Sequence, residues 1–248
     1  MIQAFKMAMK SISGNKFRAF LTMLGIIIGV MALVILVSLV SGATGTVTDT
    51  IESLGSNLLT VTIADDKGAP VTLDTLNTWM TDPQIGLAAP SASTTANGKY
   101  GSTTKTVTVY GATPAYAPIN GQTVLLGRFL TQADVENHTS VCVIPEKTAE
   151  DMVGYTDCLG EEIALDGMKF TIVGIFKNDD ESLTGILTKN SMMAYIPYTT
   201  LMRLSSTVSS TITGFSVSAP QGGTMAATES AMKRLLLERF ENDEDAFS

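Results

Sequence analysis

An uncharged apolar run near the N-terminus constrains this chain more than any other feature. Residues 19–40 (AFLTMLGIIIGVMALVILVSLV) are 22 consecutive positions without a charged side chain. At a rise of ~1.5 Å per residue this run forms a helix roughly 33 Å long, enough to cross a hydrocarbon core of about 30 Å. A soluble helix of that length normally carries a polar stripe, and this run has none. The sequence therefore predicts a transmembrane helix over residues 19–42.

The charges beside this run indicate its orientation. The first 18 residues contain Lys6, Lys10, Lys16 and Arg18 and no acidic residue. Basic residues next to a membrane helix stay in the cytoplasm, so we expect a cytoplasmic N-terminus in the plasma or inner membrane and a main domain outside. A cleaved signal peptide is the alternative, because residues 41–43 are similar to a cleavage site. The apolar core of a signal peptide is shorter, about 7–15 residues.

The part of the chain after the apolar run is strongly acidic. The chain has 16 basic and 24 acidic residues, and four basic residues precede residue 19, so the remainder has 12 basic and 24 acidic residues, a net charge of −12. Binding to nucleic acid phosphates needs a basic patch. The charge therefore argues against a nucleic acid partner.

Small residues recur inside the predicted membrane helix. Gly25 and Gly29 are four residues apart, and Ser38 and Gly42 repeat the spacing. Such faces let a second helix approach closely, so these four residues are candidate helix-packing residues. Before the run, residues 1–18 have apolar side chains at intervals of three and four, which predicts an amphipathic helix on the inner membrane face.

Beyond the membrane, short helices and strands alternate. A helical stalk is predicted over residues 43–56, ending at Gly55. The helix at Leu73–Met80 has Thr72 or Asp74 as its N-cap. Asn97-Gly98 and Asp166-Gly167 are hairpin turn signals. The other predicted strands are Leu58–Ile63, Thr106–Tyr110, Val141–Ile144, Ile163–Leu165, Lys169–Phe176, Met192–Ile196 and Ile212–Ser218.

The last clear helix of the sequence covers Thr224–Phe240. Its apolar periodicity predicts which side chains face the core. The predicted core residues are Ala226, Ala227, Ala231, Leu235 and Leu237.

No constellation of catalytic or metal-binding residues is evident in the sequence. The single histidine, His138, lies in a polar loop, and a metal site needs several convergent donors. The acidic run at residues 179–181 lacks the alternating oxygen ligands of a calcium loop. Cys142 and Cys158 are interpreted as buried thiols, with a disulfide as the open alternative. The sequence therefore predicts no enzyme activity, no catalytic residues, no metal site and no cofactor.

Three stretches, in this order, resemble the permease subunits of MacB-type ABC transporters, the superfamily that includes FtsX and the lipoprotein-releasing permeases. The first is the opening, residues 4–43, which includes LTMLGIIIGV. The second is IESLGSNLLTV, residues 51–61. The third comprises CLGEEIALDGMKFTIVGIF, MMAYIPYTTLMRL and the helix that ends RLLLERFENDEDAFS. The likeness covers nearly the whole chain, and residues 65–125 match only loosely.

The resemblance implies an α+β fold, in which one N-terminal transmembrane helix and its stalk precede an extracytoplasmic domain in two parts. A porter-like α/β part would combine residues 57–120 with residues 205–248. A small inserted β-rich part would span residues 121–204. Since Ser248 falls where such a permease begins its second membrane helix, the resemblance further implies an N-terminal fragment of a permease.

The function that we expect for this chain follows from the way this family works. The resemblance implies a permease that dimerises with an identical or a different permease and is driven by a cytoplasmic ABC ATPase subunit. The ATPase would bind ATP on another polypeptide, and a MacA-like adaptor would be a further partner beside membrane lipid. ATP-driven motion of the external domain, called mechanotransmission, would serve efflux or substrate release. The alternatives are a membrane-anchored extracellular binding or sensor protein without transport activity, and an anchored hydrolase.

Overall fold

The computed structural model describes residues 17, 20–21, 23–34, 58–177 and 191–248. The chain divides into two compact units, Met1–Ser53 and Leu54–Ser248. The predicted stalk, the acidic run at residues 179–181 and nearly all of the predicted cytoplasmic helix lie outside the described residues.

In the first unit, the described residues are helical. Their large apolar side chains are exposed; Ile26, for example, is 66% exposed and Leu33 64%. Within the part of the chain that the structure describes, no helix combines the length and the apolar character needed to span a bilayer.

In the second unit, an antiparallel three-stranded sheet joins distant parts of the sequence. Its strands are β1 (Leu58–Thr62), β2 (Ala88–Pro90) and β10 (Gly214–Ser218), in the order β1-β10-β2. Two helices, α1 (Leu73–Trp79) and α6 (Met225–Arg239), contribute to its core. In this core, Trp79 packs against Phe215 with 5.7 Å between the ring centroids. The single tryptophan therefore fastens α1 to the sheet.

The other strands that the structure describes form a mixed sheet with a second core. Its order is β5-β8-β6-β9-β4-β3-β7, and β7 also pairs with β8, so that the sheet closes on itself. The strands are β3 (Ala92–Tyr100), β4 (Thr103–Ala112), β5 (Val124–Gly127), β6 (Val141–Pro145), β7 (Glu162–Leu165), β8 (Met168–Phe176) and β9 (Met192–Pro197). Four short helices accompany it: α2 (Tyr116–Ile119), α3 (Gln132–Glu136), α4 (Glu146–Met152) and α5 (Tyr198–Leu204).

The two sheets share packing contacts. Ala92 and Val208 contact both cores, and α5 places Tyr198 in the first core and Leu201 in the second. A Cβ on Gly111 of β4 would lie 2.6 Å from the Leu201 Cδ2 atom. Because only glycine allows α5 to approach β4 this closely, Gly111 is part of the junction.

Several predicted elements are confirmed at the residue level. Thr72 is the N-cap of α1 and accepts a hydrogen bond from the Thr75 amide at 3.4 Å. Asp166 and Gly167 both have positive φ, 45° and 86°, and connect β7 to β8 as a two-residue hairpin turn.

The predicted turn at Asn97-Gly98 is wrong. Both residues lie within β3, paired with Thr106 and Lys105, and the turn lies at residues 101–102. A Cβ on Gly98 would lie 2.6 Å from the Val107 Cγ2 atom. Glycine is therefore required at position 98 because the neighbouring side chains pack closely against the strand.

The face of α6 that meets the core is also corrected in part. Ala231 is buried as predicted, and Leu235 packs against the core. The other buried side chains are Thr228, Met232 and Leu236, while Ala226 is exposed. The polar Thr228 is tolerated because its hydroxyl donates to the Gln84 carbonyl at 2.7 Å.

Candidate functional site

A groove between the two sheets combines apolar and charged side chains. It has a volume of about 410 Å³. One wall is α1, and the other is formed by residues 113–115 together with α3 and the loop that follows it. Ligand sites are usually concave, mostly apolar and equipped with a few polar groups, which makes this groove the candidate site.

The sequence of α1 determines which of its side chains face the groove. Leu76 and Trp79 are buried, and they turn one side of the helix to the first core. Leu73, Asp74 and Asn77 line the groove. Asp74 and Asn77 are exposed, so the groove has a polar rim on this wall.

A buried carboxylate holds the opposite wall in place. Asp134 of α3 accepts hydrogen bonds from Arg128 (2.6 Å), from the Thr131 amide (2.8 Å) and hydroxyl (2.7 Å), and from the Thr139 hydroxyl (3.0 Å). Burial would raise the pKa of Asp134, but the hydrogen bonds from Arg128, Thr131 and Thr139 outweigh it and hold the pKa well below its ordinary value. The carboxylate therefore stays ionised and fixes both ends of α3.

Helix α5 binds the same wall from behind. The Thr199 hydroxyl donates to the Val135 carbonyl at 2.5 Å, and the Thr200 hydroxyl donates to the Thr139 carbonyl at 3.0 Å. Since α5 also spans both cores, the position of α3 depends on the junction between the sheets.

The carboxylates that line the groove are not accompanied by lysine or arginine. Asp74 and Glu136 are the carboxylates among its lining residues, and no lysine or arginine lines it. Glu136 is exposed and accepts a hydrogen bond from the Gln132 side chain at 3.0 Å. Leu87, 38% exposed, adds apolar surface, as do Leu73, Met80 and Pro114. The arrangement suits a ligand that is cationic on one side and apolar on the other.

One of the groove-lining residues has a buried, unsatisfied hydroxyl. The Thr113 Oγ1 atom is buried and has no hydrogen-bond partner, and Thr113 lines the groove. A buried polar atom without a partner is uncommon and calls for an explanation.

Two other concave surfaces are less suitable as ligand sites. A cavity of about 140 Å³ lies beside Tyr110, Tyr116 and Asn120 and is smaller than a typical ligand pocket, roughly 300 Å³ or more. A shallow depression on α6 contains Lys233 and Arg234, but these cations already pair with Glu244 at 2.9 Å and Asp82 at 2.6 Å.

The other residues considered in the sequence analysis as possible site residues are His138, Cys142 and Cys158. His138 is exposed, as expected for a loop residue, although it lines the groove. Cys142 and Cys158 are free and buried. Among the described residues, no group of three or more His, Cys, Asp or Glu side chains could hold a metal ion.

The predicted helix-packing residues are only partly described. Gly25 and Gly29 are helical, and a Cβ at either position would have nothing within 4 Å. Ser38 and Gly42 lie outside the described residues. Sequence reasoning missed the groove, because its walls are about 60 residues apart along the chain.

The fold is that of a mixed α/β domain of the kind found in MacB-like proteins. The family model for the MacB-like periplasmic core domain matches residues 19–235. This chain belongs to that family, which confirms the resemblance drawn from the sequence.

Curated relatives and solved structures agree with this assignment. The macrolide export ATP-binding/permease protein MacB of Neisseria gonorrhoeae is 28% identical over 210 residues, which cover 81% of this chain and 32% of that protein. The MacB protein of Vibrio parahaemolyticus is 28% identical over 209 residues, with 81% and 31% coverage. The chain thus spans about a third of the length of these relatives.

Two solved structures share the fold. The periplasmic region of MacB from Actinobacillus actinomycetemcomitans superposes with a TM-score of 0.66 at 20% identity, covering 80% of this chain and 90% of that one. The extracellular domain of the noncanonic ABC-type transporter YknZ from Gram-positive bacteria gives a TM-score of 0.62 at 19% identity, covering 77% and 98%. The mixed α/β architecture expected from the sequence is therefore confirmed.

Proposed function

We propose that this chain is part of a MacB-type ABC transporter permease whose extracytoplasmic domain transmits ATP-driven motion for efflux or substrate release. The observation that carries the proposal is a MacB-like periplasmic core domain that follows an uncharged apolar run with basic residues before it. Residues 19–42 cross the membrane, residues 1–18 are cytoplasmic, and residues 43–56 form the stalk.

The hydrogen bonds of the domain support transmission of motion. Strand β1 is paired on one edge with β10. On its other edge, the Thr62 amide donates to the Ser248 carbonyl at 2.8 Å and the Ser248 amide donates back at 2.9 Å. Arg239, at the end of α6, donates to the Ala69 and Pro70 carbonyls at 3.0 and 2.6 Å. A displacement of β1 would therefore move the sheet and α6 together.

The junction between the sheets extends this coupling. Because α5 contributes to both cores and binds α3, motion of the three-stranded sheet would reach the closed sheet through packed side chains. We propose the division into residues 57–120 with 205–248 and residues 121–204 as the two moving parts. Because β3 pairs with β7 and β4 pairs with β9, β3 and β4 would move with residues 121–204 rather than with the rest of their own segment.

The partners follow from the family. We propose a cytoplasmic ABC ATPase subunit that binds ATP, a second permease chain that is identical or different, and a MacA-like adaptor outside. Gly25 and Gly29 provide the face for packing against other membrane helices. The alternative, an anchored binding or sensor protein, needs none of these partners.

A topology experiment tests the membrane part of the proposal. Ser93→Cys introduces an exposed thiol on β3, and Lys10→Cys introduces one before the apolar run. A membrane-impermeant maleimide added to intact cells should label the cysteine at position 93 and leave the one at position 10 unlabelled until the cells are lysed. Labelling of position 10 from outside would overturn the orientation.

Isolation of the intact complex tests the transporter part. The tagged permease that contains this chain, purified in mild detergent from its native membrane, should retain an ABC ATPase in a fixed ratio. Its ATPase rate should fall when Arg239→Ala breaks the contacts of α6 with Ala69 and Pro70. The detergent concentration should be one that preserves a known transporter complex. If the chain is recovered under these conditions without any ATPase, the result would favour the anchored binding protein instead.

A further inference from the structure

The groove between α1 and α3 meets the physical requirements of a ligand site, and the family membership assigns no ligand to it. Its volume of about 410 Å³ falls within the range of small-molecule pockets, roughly 300–1,000 Å³. Both of its walls are held from within the fold: α1 by the burial of Leu76 and Trp79, and α3 by the Asp134 network. A site on preorganised walls binds with less loss of conformational entropy than one formed by mobile loops.

The chemistry of the lining selects a class of ligand. Asp74 on one wall and Glu136 on the other are both exposed, and the lining contains no lysine or arginine to neutralise them. Leu73, Leu87 and Pro114 add apolar surface to the same lining. The external part of the chain, with 12 basic and 24 acidic residues, adds an attractive background field for cations. We propose that the groove binds an amphipathic organic cation, with its charged group at the Asp74 and Glu136 carboxylates and its apolar body on Leu73, Leu87 and Pro114.

The unsatisfied hydroxyl of Thr113 fits the same occupant. Its oxygen is buried without a hydrogen-bond partner. A polar group on a bound molecule that reaches Thr113 would satisfy it, and such a contact would distinguish this site from a nonspecific apolar patch.

This inference goes beyond the transport function, because it concerns binding by this chain alone. It holds whether or not an ATPase is attached. A failure of the binding test would therefore leave the proposed function standing, and a failure of the topology or complex experiments would leave the groove proposal standing.

The test uses the full chain in nanodiscs of phosphatidylcholine, with empty nanodiscs as the blank. The probes are the hydrophobic monocation tetraphenylphosphonium and the uncharged triphenylphosphine oxide, which has three of its four phenyl rings. Trp79 is the single tryptophan and lies on α1 between Leu76 and Met80, which both line the groove. Its fluorescence should therefore change as the cation binds. We expect saturable binding of the cation and at least fivefold weaker binding of the neutral probe.

Charge variants locate the site. Asp74→Asn and Glu136→Gln should each weaken cation binding about threefold to fivefold, as expected for exposed charges, and should leave the neutral probe unaffected. The matched control is Glu229→Gln, which removes an exposed carboxylate from α6, away from the groove. Equal weakening by the control would show that only the overall charge attracts the cation, and would overturn the proposal. Equal affinities for the two probes would overturn it as well.

A second measurement needs no variant and remains decisive if a variant folds poorly. Hydrogen exchange of the unaltered chain should slow at residues 73–80 and 132–138 when the cation is added and stay constant in α6. Protection elsewhere, with none at these two segments, would refute the site.

Discussion

The Asp134 carboxylate lies 2.6 Å from the Arg128 guanidinium, measured from Oδ2 to Nη1, and the same oxygen accepts two hydrogen bonds from Thr131. This one side chain therefore ties the strand end at Arg128 to the first turn of α3. The α3 wall of the groove therefore depends on the contact between Asp134 and Arg128.

Replacing this carboxylate should destabilise the domain. Asp134→Asn removes the negative charge and places an NH2 group next to the hydrogen-bond donors that now bind the carboxylate. We therefore expect the free energy of unfolding to fall by about 2 kcal/mol. Urea unfolding followed by Trp79 fluorescence measures it. Glu136→Gln, an exposed substitution on the same helix, is the control and should change stability by less than about 0.5 kcal/mol.

The same group predicts how stability depends on pH. Since the folded pKa of Asp134 is depressed below its unfolded value of about 3.9, its contribution to stability is complete above that pH. The contribution is lost as the pH falls through the folded pKa. We expect the unfolding free energy to fall on acidification below about pH 4 more steeply for the unaltered chain than for Asp134→Asn. Parallel pH profiles of the two proteins would contradict this.

A methyl group at Gly98 should be costly even though the residue lies in an extended strand. Its Cβ would lie 2.6 Å from the Val107 Cγ2 atom and 2.9 Å from the Met152 Cε atom. Because valine is stiff about χ1, the strands must shift, and Gly98→Ala should destabilise the domain by about 1–3 kcal/mol in urea unfolding. The exposed neighbour Lys99→Ala should have little effect. Equal stability of Gly98→Ala and the unaltered chain would contradict the strand packing.

The two cysteines should be unreactive in the folded protein. Burial raises the pKa of the Cys142 thiol, and the nearby Cys158 raises it further; burial likewise raises the pKa of Cys158. Because the thiolate is the reactive form, a disulfide-exchange reagent at pH 8 should react with neither thiol until urea is added. The exposed cysteine of Ser93→Cys should react within the mixing time. Rapid reaction of the native thiols would contradict their burial.

Glycine substitutions test the membrane face. Gly25→Leu with Gly29→Leu should reduce recovery of the permease dimer and its complex in detergent, because bulky side chains prevent close helix approach. The matched control is Ile27→Leu with Met31→Leu, which retains the i, i+4 spacing on another face of the helix. Unchanged recovery of the dimer from the glycine variant would count against the packing role.

Local structure was predictable where short-range chemistry decides it. The Asp166-Gly167 turn requires two positive φ angles, and the Thr72 cap requires only the three residues that follow it. The Asn97-Gly98 prediction failed because Val107 and Met152, distant in sequence, require a glycine within a strand. On α6, Thr228 was missed because its burial depends on a hydrogen bond to Gln84, which is 144 residues away.

By itself, the sequence determined the apolar run, the charge asymmetry around it, most strand positions, the helices α1 and α6 and the family resemblance, because each of these depends on composition or on neighbouring residues. Only the tertiary structure decided that β1 pairs with both β10 and residues 246–248, that α5 joins the two cores, and that Asp74 and Glu136 line one groove. These relationships arise from contacts between residues far apart in the chain, where burial and hydrogen bonding outweigh the local preferences that a sequence pattern reveals.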